Sequence, residues 1–283
     1  MEINDYDGDG DDTNEIKILK KLLKKPLIKQ RTPEWFKLRE DRLTASDLYD
    51  AIKNPHSLIK RKLNSNTFNS SGIPALKWGT MFEPMAIRIY SNMKNKKIYE
   101  FGLIINDDIA NFGASPDGIT EEGIMIEIKC PFSREIKDGN IPEKYYYQIQ
   151  GQLAVCKLNM CDYIECKFKC YEMEEEYLEE IKNISNNYLH GIIAEKKENG
   201  EYIYKYSSNN QTGMENVKEM RDYERDNYKM NYWKLELINI QEVSFNKDKW
   251  DNIIMDKINR FSIYYKEEKN KNRANQLFID EDD

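Results

Sequence analysis

The residues whose types and spacing could do chemistry are Asp117, in Ser115-Pro116-Asp117-Gly118, and Glu127 and Lys129, in Ile126-Glu127-Ile128-Lys129-Cys130-Pro131. Strand side chains alternate faces, so in the β-prone run from Ile124 to Cys130 Glu127 and Lys129 share one face and Ile126 and Ile128 the other. Glu121-Glu122-Gly123 reads as a hairpin turn that folds Asp117 back beside Glu127. Two carboxylates and one ammonium then converge at a sheet edge. Hard oxygen donors suit Mg²⁺, and a divalent metal beside a lysine suits hydrolysis of a phosphodiester. The same pattern also describes an ordinary surface hairpin with an exposed Glu/Lys pair, so the surrounding chain has to decide.

The elements that must position these residues can be read from periodicity and caps. Residues 1–15 carry five aspartates with Gly8 and Gly10; the opening is similar to a calcium loop, but the closing position holds Ile16 instead of Glu, so an acidic disordered tail is expected. Ile16, Leu19, Leu22 and Leu23 make an apolar stripe among lysines, a docked helix or a phosphate-contacting arm, ended by Pro26. Thr32-Pro33-Glu34-Trp35 predicts a capped helix to about residue 41, and Thr44 or Ser46 starts another through Ile52. Residues 53–74 read as a long loop or flap, and 76–93 as a helix. Strands are expected at about 97–106, 110–116 and 124–130, a helix over 142–158 and a strand over 163–169. A helix from 174 to about 195, a Tyr-rich strand, a polar segment, a strand over 232–245 and a helix over 247–266 complete the chain. This order predicts an α/β fold with a mixed central sheet flanked by helices.

Composition narrows the class. Forty per cent hydrophobic and 33% charged residues suit a soluble globular chain, and no apolar run approaches the roughly 18 residues of a membrane span. The acidic start does not resemble a secretory signal, so an intracellular protein without membrane association is expected. Net charge is −7, which argues against coating DNA with the whole surface but leaves room for a local basic groove.

Four blocks together resemble the lambda exonuclease and YqaJ-type viral recombinase family of the PD-(D/E)XK nuclease superfamily. They are Trp35-Phe36-Lys37-Leu38-Arg39 with Leu43-Thr44-Ala45-Ser46; Trp78 to Glu83; Gly113 to Gly118 joined to Glu127 through Phe132; and Tyr147 to Leu153. The resemblance covers roughly residues 30–170. It implies a restriction-endonuclease-like core within one YqaJ-like domain over 16–270, with a C-terminal extension from about 171 and a polar tail over 271–283.

The resemblance also implies roles. Asp117 and Glu127 match the metal-binding acids, with the backbone carbonyl of Ile128, and Lys129 matches the catalytic lysine. The cofactor implied is Mg²⁺, for which Mn²⁺ can substitute. Glu83 matches a further acid that joins the metal in many relatives; preceding Pro84, it is expected at or near a helix start, where a carboxylate can also be a plain dipole partner. Gln148 matches the family glutamine, with Gln150 and Gln152 as competing choices. Arg39, Ser46 and Ser115 match residues that bind a terminal 5′-phosphate, a task suited to the planar guanidinium. Arg134 matches a basic position in the DNA-contacting loop, although Glu135 or Asp138 could equally be its partner.

The implied activity is a 5′→3′ exonuclease that resects duplex DNA for recombination or repair. The implied partners are double-stranded DNA and a single-strand annealing protein, with a ring trimer as the assembly. If virus-encoded, the compartment is the host cytoplasm or nucleus. The alternatives are a structure-selective endonuclease on the same core and a non-catalytic DNA-binding scaffold. Cys156, Cys161, Cys166 and Cys170 resemble the cysteines of iron–sulfur nucleases, but no cysteine precedes Cys130 and ordinary buried thiols are expected.

Overall fold

The computed structural model of the chain describes residues 12–64 and 73–279, with side chains through residue 271. The calcium-loop-like pattern and most of the acidic tail expected over residues 1–15 lie outside the described residues. Helix α1 (Asn14–Leu23) begins where Thr13 Oγ1 accepts the Ile16 amide, and it buries Leu19 and Leu22 while its lysines face solvent. The arm after it is pinned to the body. Ile28 crosses Gly102 so closely that any Cβ there would overlap its carbonyl, and the Gln30 amide donates to the carbonyls of Phe101 (2.9 Å) and Pro116 (3.1 Å).

Helix α2 (Pro33–Glu40) has the expected Thr32 cap and Pro33 at its first turn. Strand β1 (Leu43–Thr44) leads through a 3₁₀ turn (Ala45–Asp47) into α3 (Leu48–Lys53). The loop expected over 53–74 is in part a helix, α4 (Pro55–Leu63): Pro55 fits a helix start, and Leu58 and Ile59 bury there. Residues 65–72 lie outside the described residues.

Helix α5 (Pro74–Lys94) corrects the expected place of Glu83. Pro84 does not start a helix but lies inside this one, so Glu83 is mid-helix and is no dipole partner. An interior proline costs ~3 kcal/mol through its missing N–H and its ring. Buried Met81, Phe82, Met85, Ala86 and Ile89 on both sides of it supply the packing that carries the helix through.

The strand expected over 97–106 is two short ones, β2 (Ile98–Tyr99) and β3 (Ile104–Ile105), interrupted where the arm crosses Gly102. Strands β4 (Phe112–Ala114), β5 (Gly118–Thr120) and β6 (Met125–Lys129) follow. The turn between β5 and β6 is the expected one, with Gly123 at φ +83°, a conformation that favours glycine. Helix α6 (Glu143–Cys156) then crosses over to β7 (Met160–Tyr171).

Beyond residue 174 the structure departs from the expected helix to 195. Helix α7 (Glu174–Glu180) is short, and residues from 190 form a strand, β8 (His190–Glu198), because Gly191-Ile192-Ile193 fits a buried strand better than a helix. Strand β9 (Glu201–Tyr206) is the Tyr-rich piece. The polar segment holds an unexpected helix, α8 (Gly213–Arg225), entered through a Thr212–Glu215 capping box. Strand β10 (Lys229–Ser244), the short helix α9 (Lys247–Lys249), a π-helical turn (Trp250–Ile254) and α10 (Met255–Ile279) end the described chain, so the last helix runs well past residue 266.

Seven strands form one mixed sheet in the order β2-β5-β6-β7-β10-β8-β9, and β1-β4-β3 form a small second sheet. Within the large sheet only β6 and β7 run parallel, which requires the crossover that α6 supplies. Ile126 and Ile128 pack towards α5 residues Met81, Phe82 and Met85. Glu127 and Lys129 face α6 instead, so the candidate side chains lie between a sheet face and its crossover helix.

Candidate active site

Asp117 reaches the expected place by a simple device. Strand β5 pairs Gly118 with Ile126 and goes no further back, so the next available amide on β6, that of Ile128, is taken by Asp117 Oδ2 at 2.7 Å. Its other oxygen has no hydrogen bond among the described residues. Burial, the Glu127 charge and the Glu83 charge together push the Asp117 carboxyl well above the usual carboxylate range, against the pull of Lys129 and the Ile128 amide.

Glu127 is completely buried, a position a carboxylate tolerates only with partners. It has three. Lys129 donates to Oε1, as does Gln148 at 2.7 Å, and Gln152 donates to Oε2 at 2.7 Å. Burial would lower the Lys129 pKa, but the charges of Glu127 and Asp117 outweigh it and raise it, so the ammonium stays charged. Gln152 was legible as a competing choice and proves to be a second partner beside Gln148. The two stand four residues apart and so share a face of α6, whereas Gln150 points away to Ser244 and Asn246.

The phosphate-binding candidates gather in a second cluster. The Arg39 guanidinium lies 4.1 Å above the Trp35 ring and donates to Ser46 Oγ at 3.0 Å. Trp35 Nε1 donates to Ser115 Oγ at 3.0 Å, which ties Ser115 to the same group. Burial lowers the Arg39 pKa, and Asp47 partly offsets this. Gln152 Nε2 also lies 3.4 Å from the Ser115 carbonyl, so one amide links this cluster to Glu127. Trp35 matters here as a platform for Arg39; their four-residue spacing on α2 was the available signal.

Arg134 bonds elsewhere. Neither the Glu135 nor the Asp138 carboxylate is its partner: Nη2 donates to Glu165, a fully buried carboxylate on β7, and Nη1 to the Glu135 backbone carbonyl at 3.1 Å. Tyr163 also donates to Glu165 Oε1 at 2.8 Å, while Oε2 has no partner among the described residues. Register places Glu165 opposite Lys129, and Lys129 and Arg134 both lie over the Tyr145 ring, at 5.0 and 5.9 Å. The sequence reading missed Glu165, because only the β6–β7 pairing brings it to the site. Glu83 pairs with Arg31 at 2.6 Å. The five cysteines are free thiols, four of them buried.

Residues 34–159 match the family described as the YqaJ-like viral recombinase domain. The matched segment contains the Arg39 cluster, the Asp117–Glu127–Lys129 group and the glutamines of α6. Uncharacterized protein R354 of Acanthamoeba polyphaga mimivirus is 30% identical over 192 residues, 58% of this chain and 33% of that protein. The chain thus spans about one third of the length of this curated relative. The alkaline exonuclease LHK-Exo of Laribacter hongkongensis has the same fold, with a TM-score of 0.55 at 21% identity, covering 87% of this chain and 100% of that one. Its complex with dAMP gives the same figures.

No group of three His, Cys, Asp or Glu among the described residues is drawn together as a ready metal cage. The donor set still fits a hard cation. Among the described residues one Asp117 oxygen takes no hydrogen bond, and burial with the Glu127 and Glu83 charges outweighs Lys129 in holding its carboxyl above the usual range. Asp117, Glu127 and the Ile128 carbonyl, with Glu83 if it is released, are the residues that would hold Mg²⁺ or Mn²⁺.

Proposed function

We propose that this chain is a Mg²⁺-dependent deoxyribonuclease acting as a 5′→3′ exonuclease on double-stranded DNA ends, in the service of recombination. The observation that carries this reading is a buried Glu127 bonded by Lys129 and Gln148, with Asp117 brought beside it by the β5–β6 hairpin. A bound divalent cation would polarise the scissile phosphate and acidify the attacking water. Lys129, held by Glu127, offers its ammonium to charge developing on the phosphate or orients the water. Gln148 and Gln152 fix Glu127, so its rotamer does not depend on substrate. LHK-Exo is an alkaline exonuclease by its description and was crystallised with dAMP, which supports the choice of a DNA-degrading reaction.

The end preference rests on Arg39, Ser46 and Ser115. Arg39 is stacked on Trp35 and desolvated, a setting in which charge-assisted bonds to a phosphate are strong. Arg39→Gln is expected to lower the rate on 5′-phosphorylated linear duplex by about 10–100-fold and to erase the difference from 5′-hydroxyl ends. Strand-specific digestion of linear and closed circular duplex tests both points. Loss of the 5′-ended strand from linear DNA alone supports the exonuclease; cutting of closed circles gives the endonuclease instead. An annealing protein and a ring trimer remain part of this proposal, and mass measurement in solution with DNA tests the latter.

A further inference from the structure

We propose that Arg31 is a resident counter-cation that holds Glu83 and must give it up before a divalent metal can use that carboxylate, so that Arg31 sets the metal affinity of the site. The inference rests on the nuclease reading and extends it to a residue outside the four sequence blocks. Arg31 Nη2 donates to Glu83 Oε2 at 2.6 Å, a charge-assisted contact. The arm that carries Arg31 also bonds the Pro116 carbonyl next to Asp117 through Gln30, and the Glu83 charge adds to those that hold the Asp117 proton, so Glu83 acts on the acid group even while its oxygen faces Arg31. That division explains why three acids contribute to one electrostatic site without forming a ready cage.

The backbone delivers Arg31 to this position at a cost. Arg31 has φ +65°, a left-handed conformation that non-glycine residues rarely adopt. Three anchors enforce it: Ile28 lies across Gly102, Gln30 bonds the carbonyls of Phe101 and Pro116, and Thr32 Oγ1 donates to the Lys29 carbonyl at 2.8 Å. Pro116 adjoins Asp117, so the arm is registered against the acid-bearing loop itself. The Arg31 side chain is 43% exposed and that of Glu83 22%, which leaves the pair exchangeable instead of locked. A cation of twofold charge competes with Arg31 for Glu83, whereas Glu127 is held by the neutral amides of Gln148 and Gln152, which bring no competing charge and leave it further lone pairs.

The test titrates Mn²⁺ alone into the full chain without DNA, reading free Mn²⁺ by electron paramagnetic resonance. Arg31→Ala is expected to bind Mn²⁺ about fivefold more tightly than wild type, the scale of one partly exposed ion pair. Glu83→Gln should bind more weakly, and adding Arg31→Ala to it should change nothing further. Unchanged or weaker binding by Arg31→Ala overturns the proposal. So does equal tightening in the Glu83→Gln background, which would make Arg31 a diffuse repulsive charge and not a partner. If Asp117→Asn abolishes binding while Arg31→Ala has no effect, the metal site stands and only the role of Arg31 falls. If wild type binds no Mn²⁺, both fall.

Discussion

Asp117→Asn is expected to lower cleavage of linear duplex DNA by about 10³-fold or more and, in the same protein, to raise the melting temperature at pH 8 without metal. The loss follows from removing the carboxylate proposed to hold the metal, where metal-supplied charge stabilisation would be worth several kcal/mol. The gain follows from Asp117 itself. Its carboxyl holds its proton more tightly in the folded chain than in the unfolded one, because of burial and of Glu127 and Glu83. Such a group contributes stability that is full below the ordinary carboxylate range and is lost as pH rises through the raised folded value. At pH 8 the wild-type chain carries this repulsion; asparagine removes it while its carbonyl can still accept the Ile128 amide. A gain of about 2–4 °C is the scale for one kcal/mol in a chain of this size, and it should shrink towards zero at pH 4. Thermal denaturation at both pH values checks this; a melting temperature that falls at pH 8 contradicts the crowded-acid description.

Lys129→Ala should abolish cleavage to a similar extent, by about 10²–10³-fold, yet move stability the opposite way. Removing one member of a buried ion pair costs about 3–5 kcal/mol because the other charge is stranded. Here the cost is smaller, about 2 kcal/mol: the Lys129 side chain is 23% exposed, and Glu127 keeps the amides of Gln148 and Gln152. The melting temperature should fall by about 4–8 °C. Adding Glu127→Gln should recover much of that loss without restoring cleavage. Two inactive variants with opposite stability shifts would separate the two carboxylates: Asp117 as a repelled acid, Glu127 as a satisfied one.

Much of this site was legible before the structure because its geometry is local. Two-residue alternation puts Glu127 and Lys129 on one face, and the Gly123 turn returns Asp117 to them. Gln148 and Gln152 differ by one helical turn, so their shared role could have been read from spacing alone. What was hidden depends on contacts distant in sequence. Glu165 meets Arg134 only because β6 pairs with β7, and Arg31 meets Glu83 only because the arm crosses Gly102. Errors in the fold have equally specific causes. Pro84 looked like a helix start because local preference ignores the packing on both sides of it. Helix α8 was missed in a polar segment although Thr212 and Glu215 spelled its capping box.

The most direct test of the central claim is the release of nucleotides from 5′-phosphorylated linear duplex DNA over time, with Mg²⁺ or with chelator, by wild type and by Asp117→Asn. The account predicts progressive loss of the 5′-ended strand by wild type with Mg²⁺ and none with chelator or with the variant. Release that survives the chelator or the substitution would contradict the assigned site. Tight DNA binding by wild type with no release under any of these conditions would make the chain a scaffold and not an enzyme.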